Sequence, residues 1–75
     1  MNLHKGNSVL DVVVNGESRT LAGPVSILQL IQDMDLQGKR IAIEINGVIV
    51  PASQHSTVQL SSGDSVEIVG AIGGG

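Results

Sequence analysis

Two Asn-Gly dipeptides, Asn15-Gly16 after the run VLDVVV and Asn46-Gly47 between two apolar runs, fix where this chain must reverse. Asn and Gly accept the positive φ that both central positions of a type I′ turn demand, so each dipeptide predicts a tight hairpin. Before the first turn, Val9 to Val14 reads VLDVVV and puts Leu10, Val12 and Val14 on one face of a strand. Glu17 to Leu21 reads as the returning strand, and Ala22-Gly23 closes the hairpin. Before the second turn, Ile41, Ile43 and Ile45 alternate with Ala42, Glu44 and Asn46, a strand with one buried face. Val48-Ile49-Val50 returns, and Pro51 stops it. Thr57 to Leu60 reads as a further short edge strand. Ser62-Gly63-Asp64 is a turn into a last strand through Val66, Glu67, Ile68 and Val69.

Between the two hairpins the period changes. Ile27, Leu28, Ile31 and Met34 recur at three- and four-residue spacing, an apolar stripe that Leu30 and Leu36 widen, while Gln29, Gln32 and Asp33 face away. Pro24 is placed to open this helix, because its missing N–H would have no helical partner there. Ser26 is the alternative N-cap, and Gly38 reads as the terminator. Strands in this number need a cover for their apolar face, and a single helix supplies it. The expected class is α+β: a β-grasp (ubiquitin-like) roll, with a mixed sheet of four to five strands covered by one helix.

Composition narrows the function. The 75 residues leave room for one domain, and with no Phe, Tyr or Trp its core must come from Val, Ile and Leu, helped by Met34. Such a core supports about 5 kcal/mol of stability or less. Without cysteine there is no disulfide, thiolate metal site or cysteine catalysis. A net charge of −3 with four scattered basic residues disfavours nucleic acid, which needs a concentrated basic face. No run of the sequence is apolar for long enough to span a bilayer, and the polar first residues lack the apolar stretch of a signal peptide, so a cytoplasmic protein with no membrane partner is expected. The chain is expected to divide into a flexible leader at 1–8, a folded body at 9–70 and a flexible glycine-rich tail at 71–75.

That tail, Ala71-Ile72-Gly73-Gly74-Gly75, is where chemistry is expected. Glycine loses the most entropy on ordering, so three in succession are poorly held in regular structure. Without Cβ atoms they can thread a channel too narrow for any other residue. Fully extended, the tail reaches about 17 Å past the last strand, enough to carry the carboxylate of Gly75 into a partner's active site while the body stays outside.

The stretch from Ile41 to Gly75, IAIEINGVIVPASQHSTVQLSSGDSVEIVGAIGGG, closely resembles the ThiS sulfur carriers of thiamine biosynthesis. The shared pattern is an alternating strand into Ile45-Asn46-Gly47, then Ile49-Val50-Pro51, the Ser62-Gly63-Asp64 turn, Val66-Glu67-Ile68-Val69 and a terminal diglycine. The first half fits too, with a strand into Asn15-Gly16 and a helix carrying Ile27-Leu28-Gln29-Leu30, so the resemblance covers about residues 9 to 75. It departs in the leader and in lacking aromatics on a partner-facing surface. The resemblance implies a carrier that is not itself an enzyme and binds no cofactor. A ThiF-type adenylating enzyme would use ATP to activate the Gly75 carboxylate, and a sulfur-donating enzyme would supply the sulfur. The resulting thiocarboxylate would go to a ThiG-type thiazole synthase for the thiazole ring of thiamine. Gly74, Gly73 and Ile72 would thread the partner's channel, and Val69 is the residue of the sheet expected to touch a partner. MoaD-like carriers for molybdopterin or another sulfur product share the fold and the diglycine ending, as do ubiquitin-like modifiers that end in an isopeptide bond; the Asn-Gly-x-Ile-Val-Pro segment favours the thiamine type.

Nothing else in the sequence points to chemistry of its own. Gly38-Lys39-Arg40 resembles the end of a phosphate loop but fails the pattern, with Asp at 33 and Arg at 40, and reads as a helix end with dipole-friendly cations. His4 lies in the leader and His55 in a polar loop, with no third ligand nearby for a metal. Ser56 beside His55 has no orienting acid. Asp64 reads as a turn residue, and Glu44 and Glu67 as solvent-facing.

Overall fold

The computed structural model describes residues 9–70. The leader 1–8 and the tail 71–75, with Ile72, Gly73, Gly74 and Gly75, lie outside the described residues. Strands β1 (Val9–Val14) and β2 (Glu17–Ala22) form the first hairpin, followed by helix α1 (Ile27–Asp33). Strands β3 (Ile41–Ile45) and β4 (Val48–Val50) form the second, and β5 (Ser65–Gly70) closes the order. The strands make one five-stranded sheet in the order β2-β1-β5-β3-β4. All neighbours are antiparallel except β1 and β5, which run parallel with Val13 opposite Ser65 and Val14 opposite Val66.

Both turns form where expected, with Asn15 at φ 51° and Gly16 at 85°, and Asn46 at 52° and Gly47 at 85°. Alternation then decides the faces. Val12, Val14, Ile43, Val50 and Val66 point to one side of the sheet and bury against Ile27, Leu30 and Ile31 of α1, with Val25 and Leu60 completing the core. Leu28 and Met34, expected in the stripe, are half-buried, and Leu36 packs beside them.

The helix is shorter than its apolar pattern. Ser26, and not Pro24, defines its start: the Ser26 hydroxyl accepts from the Gln29 N–H at 3.1 Å, and the Gln29 side chain accepts from the Ser26 N–H at 2.9 Å, a capping box. Its end is set by Asp35, not Gly38. Asp35 adopts φ 60°, the Asp35 N–H donates to the Gln32 carbonyl at 3.0 Å, and the Leu36 N–H donates to the Ile31 carbonyl at 2.9 Å. Those two bonds are the Schellman pattern, which satisfies the last helical carbonyls. Gly38, at φ 84°, belongs to the following turn, closed by the Lys39 N–H on the Leu36 carbonyl at 3.1 Å.

The segment after β4 also differs from expectation. A short 3-10 turn covers Ala52–Gln54, and Thr57 to Leu60 forms no strand; only an isolated bridge joins Ser26 to Gln59. The backbone there serves the helix instead. The Ile27 N–H donates to the Val58 carbonyl at 3.0 Å and the Leu28 N–H to the His55 carbonyl at 2.8 Å, satisfying two of the orphan donors of the first helical turn. His55, expected in a polar loop, is buried, and its Nε2 lies 3.1 Å from the Val50 carbonyl. A carbonyl only accepts, so Nε2 carries the proton in that bond.

Candidate functional site

The place to which sequence directs attention is the end of β5, from which Ala71 to Gly75 continue. β5 is the central strand, with β1 on one side and β3 on the other. Val66 and Ile68 turn inward to the helix, while Glu67 and Val69 turn to the outer face. The inward pair anchors the strand, so the root of the tail is part of the core layer. Val69, the expected partner contact, is 53% exposed and lies opposite Ala42 of β3. The next pair in that register is Glu44 opposite Glu67, two carboxylates face to face on the outer surface. Like charges directly opposite are unfavourable in an isolated sheet. Ile49, 67% exposed and opposite Glu44, extends the apolar part of this face across β4.

On the helix side the end of β5 borders a groove of about 470 Å³. Met34, Leu36, Ile41 and Ile68 supply its apolar surface, Lys39 and Arg40 its charge, and Asn15 and Gly70 also line it. Sequence reading placed Lys39 and Arg40 only at a helix end. The turn at Gly38 carries both cations past the helix to line this groove.

Side chains of the two turn asparagines complete the support of β5. The Ile68 N–H donates to Asn15 Oδ1 at 2.7 Å, and Asn15 Nδ2 donates to the Ile68 carbonyl at 3.2 Å. At the other end, the Ser65 N–H donates to Asn46 Oδ1 at 3.0 Å. Asn46 Nδ2 donates to Asp64 Oδ1 at 3.0 Å, while Asp64 Oδ2 accepts from the Ser61 N–H at 2.7 Å, the turn role expected of it. Among the described residues, no group of three or more His, Asp or Glu side chains is placed to hold a metal ion. Among them, too, no helix is long and apolar enough to cross a membrane.

The family model described as the ThiS family matches residues 12–75. The chain belongs to the ThiS family. The curated relatives agree in extent. A stretch of the thiazole synthase of Paramagnetospirillum magneticum is 35% identical over 66 residues, 88% of this chain but 20% of that protein, so the chain spans about a fifth of that relative's length. The uncharacterized protein ycf40 of Porphyra purpurea is 33% identical over 69 residues, 92% of this chain and 97% of that one. Among solved structures, the thiamine biosynthesis protein (ThiS) of Geobacter metallireducens superposes with a TM-score of 0.76 at 25% identity, covering 88% of this chain and 100% of that chain. The β-grasp fold expected from sequence is thus the fold of this ThiS family member, and the family match runs through the diglycine to Gly75.

Proposed function

We propose that this protein is a sulfur carrier of thiamine biosynthesis, a co-substrate of partner enzymes that works through the carboxylate of Gly75. The observation that carries the reading is the ThiS family match extending to the final Gly-Gly-Gly, on a fold whose central strand leads directly into that tail. The thiazole synthase that contains a stretch 35% identical to this chain supports thiazole formation as the destination of the sulfur.

The chemistry asked of the tail is acyl activation. A carboxylate is a poor acyl donor because its leaving group would be oxide. In the proposed first step a Gly75 carboxylate oxygen attacks the α-phosphorus of ATP, held by a ThiF-type enzyme, and pyrophosphate leaves. The terminal sulfur of a persulfide on a donor enzyme then adds to the acyl carbon and AMP departs, leaving an acyl disulfide. A thiol attacks the donor's own sulfur and is oxidised to a disulfide with the donor, and the S–S bond that breaks releases the thiocarboxylate. That sulfur is a soft nucleophile kept on a protein, so free sulfide need not diffuse to a ThiG-type synthase. In-line attack at a crowded, charged phosphorus needs an unhindered approach. Gly73, Gly74 and Gly75, without Cβ atoms, provide it, and Ile72 and the exposed Val69 supply apolar contact near the entrance. No ATP site of its own is required of the chain.

The test is the intact mass of the protein after incubation with the adenylating enzyme, ATP and a sulfur source. A species heavier by one sulfur-for-oxygen exchange, alkylated by a thiol reagent, is expected. Deleting Gly74 and Gly75 should abolish it while the circular dichroism spectrum stays unchanged. Unmodified mass under conditions that turn over ATP would refute sulfur carriage and favour an isopeptide-forming modifier.

A further inference from the structure

We propose that the groove between the α1–β3 connection and the end of β5 is a docking site for an acidic-apolar segment of the enzyme that receives the Gly75 carboxylate. This rests on the carrier reading above and names a contact that the tail chemistry does not itself require. Three observations carry it. First, the groove is amphipathic: Met34, Leu36, Ile41 and Ile68 offer apolar surface, and Lys39 and Arg40 line it as well. These two are half of the four basic residues in a chain of net charge −3, and the groove's lining includes no acidic side chain, although Asp33 and Asp35 flank Met34 in the chain. Second, Gly70 lines the groove. Gly75 is therefore at most about 17 Å away along the chain, so the groove is within reach of an enzyme surface that encloses Gly75.

Third, the two sides of the tail's root differ in charge. The outer face presents Glu44 opposite Glu67, and the helix side presents Lys39 and Arg40. A partner with a carboxylate beside an apolar side chain matches the groove and is repelled from the outer face, which selects one orientation of approach. Charge of this kind acts on encounter and register more than on chemistry. The chain's own tail is a poor occupant by comparison. Holding three glycines in place costs backbone entropy that one exposed ion pair does not offset.

The experiment uses the full chain and the adenylating enzyme of the same host. Pyrophosphate exchange and calorimetric binding are measured for the wild type, for Lys39→Gln with Arg40→Gln, and for Ser18→Glu with Val48→Glu. The last pair changes net charge equally at exposed positions away from the groove. The groove variant is expected to raise KM and Kd by about tenfold, with kcat held within about twofold and the effect shrinking at high salt. The control pair is expected to stay near wild type, and Lys39→Arg with Arg40→Lys to recover most of the affinity. Unchanged KM and Kd in the groove variant would overturn the proposal, as would a loss confined to kcat. An equal loss in the control pair would reduce it to net-charge steering and overturn the local site. If the groove variant alone shifted the NMR signals of Ile72 to Gly75 with no enzyme present, the occupant would be the chain's own tail and the proposal would fail. Absence of exchange with the wild type, despite measurable binding, would instead count against the acyl-activation reading and leave the groove to be judged on Kd.

Discussion

At the scale of single residues, the asparagines of the two hairpin turns explain why the sequence carries Asn rather than Asp at both positions. Either residue tolerates positive φ, but only the amide can donate and accept at once. Asn15 uses both functions on Ile68, 53 positions away, and so continues the ladder of β1 past the point where its backbone turns aside. Replacing Asn15 with Ala should remove both bonds and the left-handed tolerance, costing about 2 kcal/mol. Replacing it with Asp keeps the acceptor for the Ile68 N–H and loses only the donor, for about 1 kcal/mol or less. Urea midpoints of the two variants decide the matter: equal losses would mean that the bond from Ile68 contributes nothing. Sequence showed the turns because turn chemistry is local. It could not show which distant strand the amide would meet.

At the scale of elements, the helix illustrates both what the pattern reveals and where it stops. The apolar stripe identified the helix and its buried side, since Ile27, Leu30 and Ile31 are all buried. Sequence leaves its start open between Pro24 and Ser26, of which the structure uses Ser26, and its end falls before the expected Gly38 because glycine is only the commonest punctuation. Asp35 ends the helix with φ 60°, an unfavourable conformation for a side chain, and it places a negative charge at the negative end of the helix. Asp35→Gly should therefore stabilise the protein by about 1 kcal/mol, seen as a raised melting temperature; a lowered one would show that the carboxylate has a role there that the backbone does not reveal. Thr57 to Leu60 was misread for a related reason. Its β-branched and apolar residues fit a strand, yet the carbonyls of His55 and Val58 are committed to the helix start. The glycine tail stands out in the sequence because it is one contiguous signal. The groove does not, because Asn15, Met34, Lys39 and Ile68 come from separate segments that only the fold brings together.

At the scale of the whole molecule, the last strand in sequence is the middle strand in space. β5 pairs with β1 on one side and β3 on the other, and it alone joins the two hairpins into one sheet. The sheet is therefore complete only when the end of the chain arrives, and contacts of such long sequence separation favour a single cooperative transition. For the proposed carrier role this placement matters mechanically: a partner that pulled or threaded the tail would act on the strand held on both edges and backed by Val66, which is fully buried. A tail rooted on β4 would load a three-residue edge strand whose Val48 and Ile49 are exposed. The difference is measurable by native-state hydrogen exchange. Amides of the β5–β3 ladder should exchange only through global unfolding, with protection set by the full stability of about 5 kcal/mol or less. Amides of β4 should exchange by local opening, with protection lower by roughly tenfold or more. Deleting Gly74 and Gly75 should leave both classes unchanged, since the core of the described residues is built without them. If β5 exchanged as fast as β4 in the native protein, the central strand would not be a rigid root, and the delivery proposed for the Gly75 carboxylate would have to be credited to the partner alone.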